Sequence, residues 1–184
     1  MPNTIVLVVL DESGSMMGMD GVKRDGVIDG YNKFIEDQCK VDGNDLCAVI
    51  RFGSKVDVSP VMQLKCTPRL DKENYKPNGN TALYDAVCTA IGVSADYKEL
   101  APQFVILTDG NENCSMKFTE TEMIELIAQS KKERNGKFFY IGVEPELFAE
   151  KSGIERDNCI GFDVADGNLS SLSGRVSASR SQSL

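Results

Sequence analysis

The stretch that decides the fold is IVLVVLDESGSMMGMDG, residues 5–21. Six apolar residues run without a break, stop at Asp11, and give way to hydroxyls and glycines. A short, continuous β-branched run of this kind is the pattern of a strand buried on both faces, as in parallel sheets covered by helices. Asp11, Ser13 and Ser15 then stand on alternate positions, which gathers three hard oxygen donors at the carboxyl end of that strand.

Outward from this run, strand-like and helix-like segments alternate. Residues 21–40 carry Val27, Tyr31, Phe34, Ile35 and Cys39 at helical spacing. LCAVIRF (46–52) reads as a second buried strand. KVDVSPVMQL (55–64) alternates but is interrupted by Pro60, which places it at a sheet edge. After an open loop around KENYKPNGN, a helix begins near Thr81, and QFVILTDGNEN (103–113) is another buried strand ending in an acid. Thr119 and Glu122 form a capping box for a helix that closes at Gly136. KFFYIGV, PELFAEKSG and NCIGFDV follow as strand, short helix and last strand, the last ending at Val164.

This alternation predicts an α/β, Rossmann-like three-layer sandwich: a mostly parallel central sheet with one antiparallel edge strand and helices on both faces. The division expected is one domain over residues 1–166 and a serine-rich tail over 167–184, which either docks as a weak helix or stays disordered. Sheets of this type bind ligands at the carboxyl ends of their strands, near the topological switch point. The three loops of interest would meet there.

Composition narrows the function. The chain has 184 residues, enough for a core, and no histidine. That excludes a Ser-His-Asp triad, a histidine general base and His-ligated zinc or haem. A net charge of -8 argues against a nucleic-acid surface. No G-x-x-x-x-G-K-[ST] occurs, so a P-loop is excluded. The six cysteines form no C-x-x-C pair and several sit in apolar runs, which reads as buried thiols in a reducing, cytoplasmic compartment. There is no signal-like amino terminus and no apolar run of membrane-spanning length.

Three separated pieces carry the chemistry: Asp11, Ser13 and Ser15; Thr81 at the head of a helix; and Asp109 in LTDGNEN. This all-oxygen set suits Mg²⁺, with Mn²⁺ or Ca²⁺ as alternatives, rather than softer metals. Hydroxyl ligands leave such an ion under-neutralised, and an Asp or Glu from another protein supplies the missing charge.

VLDESGSM, GNTALYDAV and VILTDGNEN, in this order, resemble the von Willebrand factor A domain with an intact metal-ion-dependent adhesion site (MIDAS). The closing region FFYIGVEPELFAEKSGI resembles that of small intracellular bacterial and phage members. The resemblance implies Ser13, Ser15 and Thr81 as direct ligands, with Asp11 and Asp109 acting through water or switching with state. It implies a non-enzymatic scaffold or adaptor that grips a partner's Asp or Glu through the ion; charge and hydropathy, as above, leave nucleic acid and membrane out of the expected partners. It leaves oligomeric state unread. Here the short 145–153 helix and the serine-rich tail offer no clear piston for a large switch.

Neighbouring residues have two readings each. Gly14 and Gly110 bring amides near the ion or are ordinary loop glycines. Glu12 is solvent-exposed or screens partners. Asp85 orients a ligand hydroxyl or suits a helix N-terminus. Met16, Met17 and Met19 form an adaptable rim or fill core, and Glu112 and Asn113 extend the third loop towards a partner. Two rival functions stand beside the binding module. A Mg²⁺-dependent phosphoryl-transfer enzyme is disfavoured because Ser13 replaces the second acid of D-x-D and no lysine lies in the three loops. The other is a domain in which the metal only braces the loops.

Overall fold

The computed structural model describes residues 3–42, 44–163 and 169–182. Among the described residues, seven strands form one sheet: β1 (Thr4–Asp11), β2 (Leu46–Phe52), β3 (Val56–Val58), β4 (Met62–Gln63), β5 (Ala101–Leu107), β6 (Lys137–Gly142) and β7 (Cys159–Gly161). The α-helices described that pack on it are α1 (Val22–Asp42), α2 (Leu83–Ala95), α3 (Glu120–Arg134), α4 (Pro145–Ser152) and α5 (Leu169–Ser181). The sheet order is β3-β2-β1-β5-β6-β7, and β1, β2, β5, β6 and β7 run parallel. The antiparallel edge expected around Pro60 comes as two short pieces, β3 and β4, both paired with β2. Pro60 cannot donate to a ladder, so the edge strand breaks there.

Every residue of β1 is buried, because successive side chains point to opposite covered faces. Ile5, Leu7 and Val9 join Ile50, Phe104 and Phe138 beneath α2, α3 and α4. Val6, Val8 and Leu10 join Val49, Val105 and Phe139 beneath α1 and α5. The chain leaves β1 towards β2 on one side and returns to β5 on the other. The switch point therefore lies between the carboxyl ends of β1 and β5, where Asp11 and Asp109 stand.

α3 begins with the capping box expected, Thr119 Oγ1 accepting from the Glu122 amide at 3.3 Å while Glu122 accepts from the Thr119 amide at 2.8 Å. Its last turn ends on Asn135 in the left-handed region rather than on Gly136. Asparagine tolerates that conformation through local hydrogen bonding.

Of the serine-rich tail, residues 169–181 form α5, which lies against the domain rather than extending from it. Leu169, Leu172 and Val176 enter the same core as α1. Arg180 is fully buried and pairs with Asp45 at 2.8 Å. Val164 and the 166/167 boundary fall outside the described residues. All six cysteines are unpaired: Cys47, Cys88 and Cys159 are buried, Cys39 and Cys114 half-buried, and Cys66 exposed. Among the described residues no helix is long and apolar enough to cross a membrane.

Candidate metal site

Because β1 and β5 are parallel neighbours, the loops after them leave the same sheet edge. The first loop turns at once from Asp11 into a 3-10 turn over Gly14–Met17. Asp11 is wholly buried. One of its carboxylate oxygens accepts the Ser13 amide at 2.7 Å, the other the Thr108 hydroxyl at 2.5 Å. Burial pushes the Asp11 carboxyl above its ordinary range. The Thr108 and Ser13 hydrogen bonds pull it partly back, and the nearby Asp109 carboxylate adds to the rise. A raised carboxyl favours the folded chain in acid, and that contribution fades as pH climbs from the ordinary value through the raised one.

The hydroxyls follow in a chain. Ser13 Oγ lies 3.1 Å from Ser15 Oγ, and Ser15 Oγ donates to Asp109 Oδ1 at 2.6 Å. Thr81 closes the group from the second loop. A Cβ placed on Gly110 would lie 3.1 Å from Thr81 Oγ1 and 3.6 Å from Ser15 Oγ, so both hydroxyls face the space that only a glycine leaves open. Thr81 itself is only 3% exposed. Ser13, Ser15, Thr81 and Asp109 are thus brought together, with Asp11 behind them holding Ser13.

Backbone hydrogen bonds fix the loops to one another. Gly14 donates to the Gly79 carbonyl at 2.9 Å, and Asn78 to that of Glu12 at 2.8 Å. Thr81 donates its amide to Asn113 Oδ1 at 2.9 Å and accepts the Asn113 amide at 3.0 Å. Asn113 is therefore a clamp between the second and third loops. Glu112 turns inwards too, accepting from the amides of Tyr84, Cys114 and Ser115.

The structure decides among three of the open readings. Glu12 is half-buried rather than exposed: it pairs with Arg51 at 2.6 Å and accepts the Lys76 amide at 3.0 Å. Asp85 stands in the first turn of α2, as one of its readings had it, and among the described residues its carboxylate bonds no site hydroxyl. Its carboxylate accepts the amides of Met116, Lys117 and Phe118 at 2.9–3.0 Å and shapes the third loop. The methionines divide: Met16 is buried under the loop, Met17 is half-buried and Met19 is 88% exposed.

Sequence reading missed three contributors. Thr108, inside the quoted LTDG, holds Asp11. Tyr75, within the open loop, is buried and donates its hydroxyl to the Asp11 carbonyl at 2.6 Å. Lys23, from the first turn of α1, places its ammonium on Asp109 Oδ2. Nothing in GVKRDG distinguishes Lys23 from a solvated surface charge.

The donor chemistry fits a divalent cation. Beside the Lys23 ammonium, the atoms able to donate an electron pair to a cation are hydroxyl and carboxylate oxygens, with no soft or nitrogen ligand. Among the described residues no three cysteine or acidic side chains converge to hold a metal, so the hydroxyls are indispensable to such a site.

No protein-family model and no curated protein sequence matches the chain. Solved structures do. A von Willebrand factor type A protein from Catenulispora acidiphila is 17% identical, covering 97% of this chain and 43% of its own, with a TM-score of 0.67. Proximal thread matrix protein 1 from the mussel byssus, with a zinc-occupied MIDAS motif, is 13% identical over 96% of this chain and 46% of its own, with a TM-score of 0.69. BatB from Bacteroides thetaiotaomicron is 14% identical over 98% of both chains, with a TM-score of 0.62. The chain spans less than half the length of the first two. At these identities the likeness establishes architecture alone, and the architecture is that of a von Willebrand factor A-like domain.

Proposed function

We propose that the chain is a metal-dependent protein-binding module acting as a scaffold or adaptor. Ser13, Ser15 and Thr81 would hold a divalent cation directly, with Asp11 and Asp109 behind them. Mg²⁺ is the ion proposed, with Mn²⁺ or Ca²⁺ as alternatives. When bound, the cation supplies a concentrated positive charge to which a partner's Asp or Glu carboxylate attaches. The observation that carries this reading is the convergence of Ser15, Thr81 and Asp109, from three loops, around Gly110. The zinc-occupied MIDAS of the mussel protein, on a like fold, supports a divalent ion at this position.

The chain's own residues do the positioning. Thr108 and the Ser13 amide keep Asp11 turned inwards, which leaves the Ser13 hydroxyl facing Ser15. Asn113 holds Thr81 against the third loop. Exposed Met19 and Met116, on the first and third loops, and Val22, at the start of α1, supply apolar contact area. The six unpaired thiols support a reducing, cytoplasmic setting.

What supports binding over phosphoryl transfer is the state of Asp11. A nucleophilic carboxylate needs a free, accessible oxygen, whereas Asp11 is wholly buried and both its oxygens are hydrogen-bonded. The absence of a nearby lysine no longer counts against the enzyme, because Lys23 reaches Asp109.

Panning a displayed random-peptide library against the chain in MgCl₂ tests the proposal. Recovered peptides are expected to share an Asp or Glu, and to lose binding in EDTA or on Asp→Asn or Glu→Gln replacement. Peptides that bind equally in EDTA would mean that the metal only braces the loops.

A further inference from the structure

Lys23 breaks a local rule. It stands in the first turn of α1, where the helix dipole disfavours a cation. Yet its ammonium is held, not solvated. It pairs with Asp109 Oδ2, while Oδ1 of the same carboxylate accepts from Ser15. On its other side it lies 5.7 Å from the centre of the Phe162 ring. The Lys23 side chain is 20% exposed and that of Asp109 only 5%. The stem is guided by Gly18, at φ 65°, where a Cβ would come within 2.6 Å of Lys23 Cβ. Local breaches of this kind concentrate at functional sites.

We infer that Lys23 is a tethered cation of the metal site, which weakens its hold on the divalent ion and sets the charge offered to the partner. The inference rests on the reading of the hydroxyl cluster as a cation site. Ammonium and metal ion are like charges drawn to the same carboxylate, so each opposes the other's approach. In chelator, Lys23 ties α1 to the third loop through Asp109, beside the loops the metal would hold together. With a divalent ion in place, the two carboxylates of Asp11 and Asp109 face three positive charges. The site then keeps one net positive charge, which an incoming Asp or Glu neutralises. Without Lys23 the loaded site would be neutral and its pull on a carboxylate weaker. Lys23 thereby trades metal affinity for ligand affinity.

Calorimetric titration with MgCl₂ and MnCl₂, on wild type, Lys23→Met and Lys23→Arg, tests this. Lys23→Met keeps the apolar stem and removes the charge; it is expected to bind the ion about tenfold more tightly than wild type. Lys23→Arg keeps the charge and is expected to stay near wild type. In EDTA, Lys23→Met should melt below wild type, and saturating MgCl₂ should close that gap. Wild-type binding with no gain in Lys23→Met would overturn the role of Lys23 and leave the cation site standing. A gain of equal size in Lys23→Arg overturns it as well, since packing rather than charge would then be responsible. If no variant binds either ion, the cation site itself fails and the inference falls with it.

Discussion

Arg180→Ala is expected to lower the unfolding free energy by about 3–5 kcal/mol, because it leaves a buried carboxylate without its counter-charge. Arg180 is 1% exposed, and its guanidinium reaches the end of α1 and Asp45 in the turn before β2. Nε and Nη2 donate to Asp45 Oδ2 at 3.2 and 2.8 Å, Nη1 to the backbone and side-chain oxygens of Gln38, and Nη2 also to the Asp42 carbonyl. The second Asp45 oxygen accepts the amides of Asn3 and Thr4, at the head of the central strand β1. One side chain thus ties α5 to the end of α1 and, through Asp45, to the start of β1. Lysine cannot reproduce this planar fork, so Arg180→Lys should recover little. Arg180→Met combined with Asp45→Asn should recover part of the loss, since no buried charge then stands unpaired. Urea denaturation reads all of these, and a loss below about 1 kcal/mol for Arg180→Ala would contradict the role given to the buried pair.

Tyr75→Ala is expected to cost about 3–5 kcal/mol, the range for removing a large buried aromatic side chain. Its effect should also reach the metal site. Tyr75 is completely buried, and its hydroxyl anchors the loop over residues 71–80 to the carbonyl of Asp11 at 2.6 Å. That loop leads directly to Thr81. Burial, with the Asp11, Glu12 and Asp109 carboxylates around it, holds the phenol well above its ordinary pKa, so it stays a donor at every physiological pH. Tyr75→Phe keeps the ring and loses only the donor, for about 1–2 kcal/mol. Denaturation separates the two variants. Any melting response to Mg²⁺ should survive in Tyr75→Phe better than in Tyr75→Ala, and an undiminished response in Tyr75→Ala would show that Thr81 is placed without this anchor.

The parts of the chain legible in sequence are those in which burial dictates composition. β1 and β5 lie in the middle of the sheet with both faces covered, so Ile5–Leu10 and Phe104–Leu107 are wholly apolar and the runs stand out. Asp11 and Asp109 were visible because each ends such a run. Alternation made Ser13 and Ser15 conspicuous in turn. The residues that serve the site from elsewhere carry no such mark. Lys23 has the surroundings of an exposed helix start, and only the fold brings Asp109 to it. Asp85 looks like an acid favoured by its own helix, but the amides it binds lie 31–33 residues further on. Arg180 sits among serines, where low hydrophobicity suggests fraying. Its burial follows from Asp45 and Gln38, at the far end of the chain. Tertiary pairing is what sequence periodicity does not contain.

The most direct test of the cation site is a melting scan of wild type and Thr81→Ala with and without Mg²⁺, Mn²⁺ or Ca²⁺. An ion at a hundred times its dissociation constant adds about 2.7 kcal/mol to the native state. For a domain of this size that amounts to a rise of about 5–10 °C. Wild type is expected to show that rise with at least one of the three ions, and Thr81→Ala, which removes the hydroxyl beside Gly110, to lose most of it. No shift in wild type at millimolar ion, or an equal shift in Thr81→Ala, would contradict the assignment of Ser13, Ser15, Thr81, Asp11 and Asp109 to a metal site.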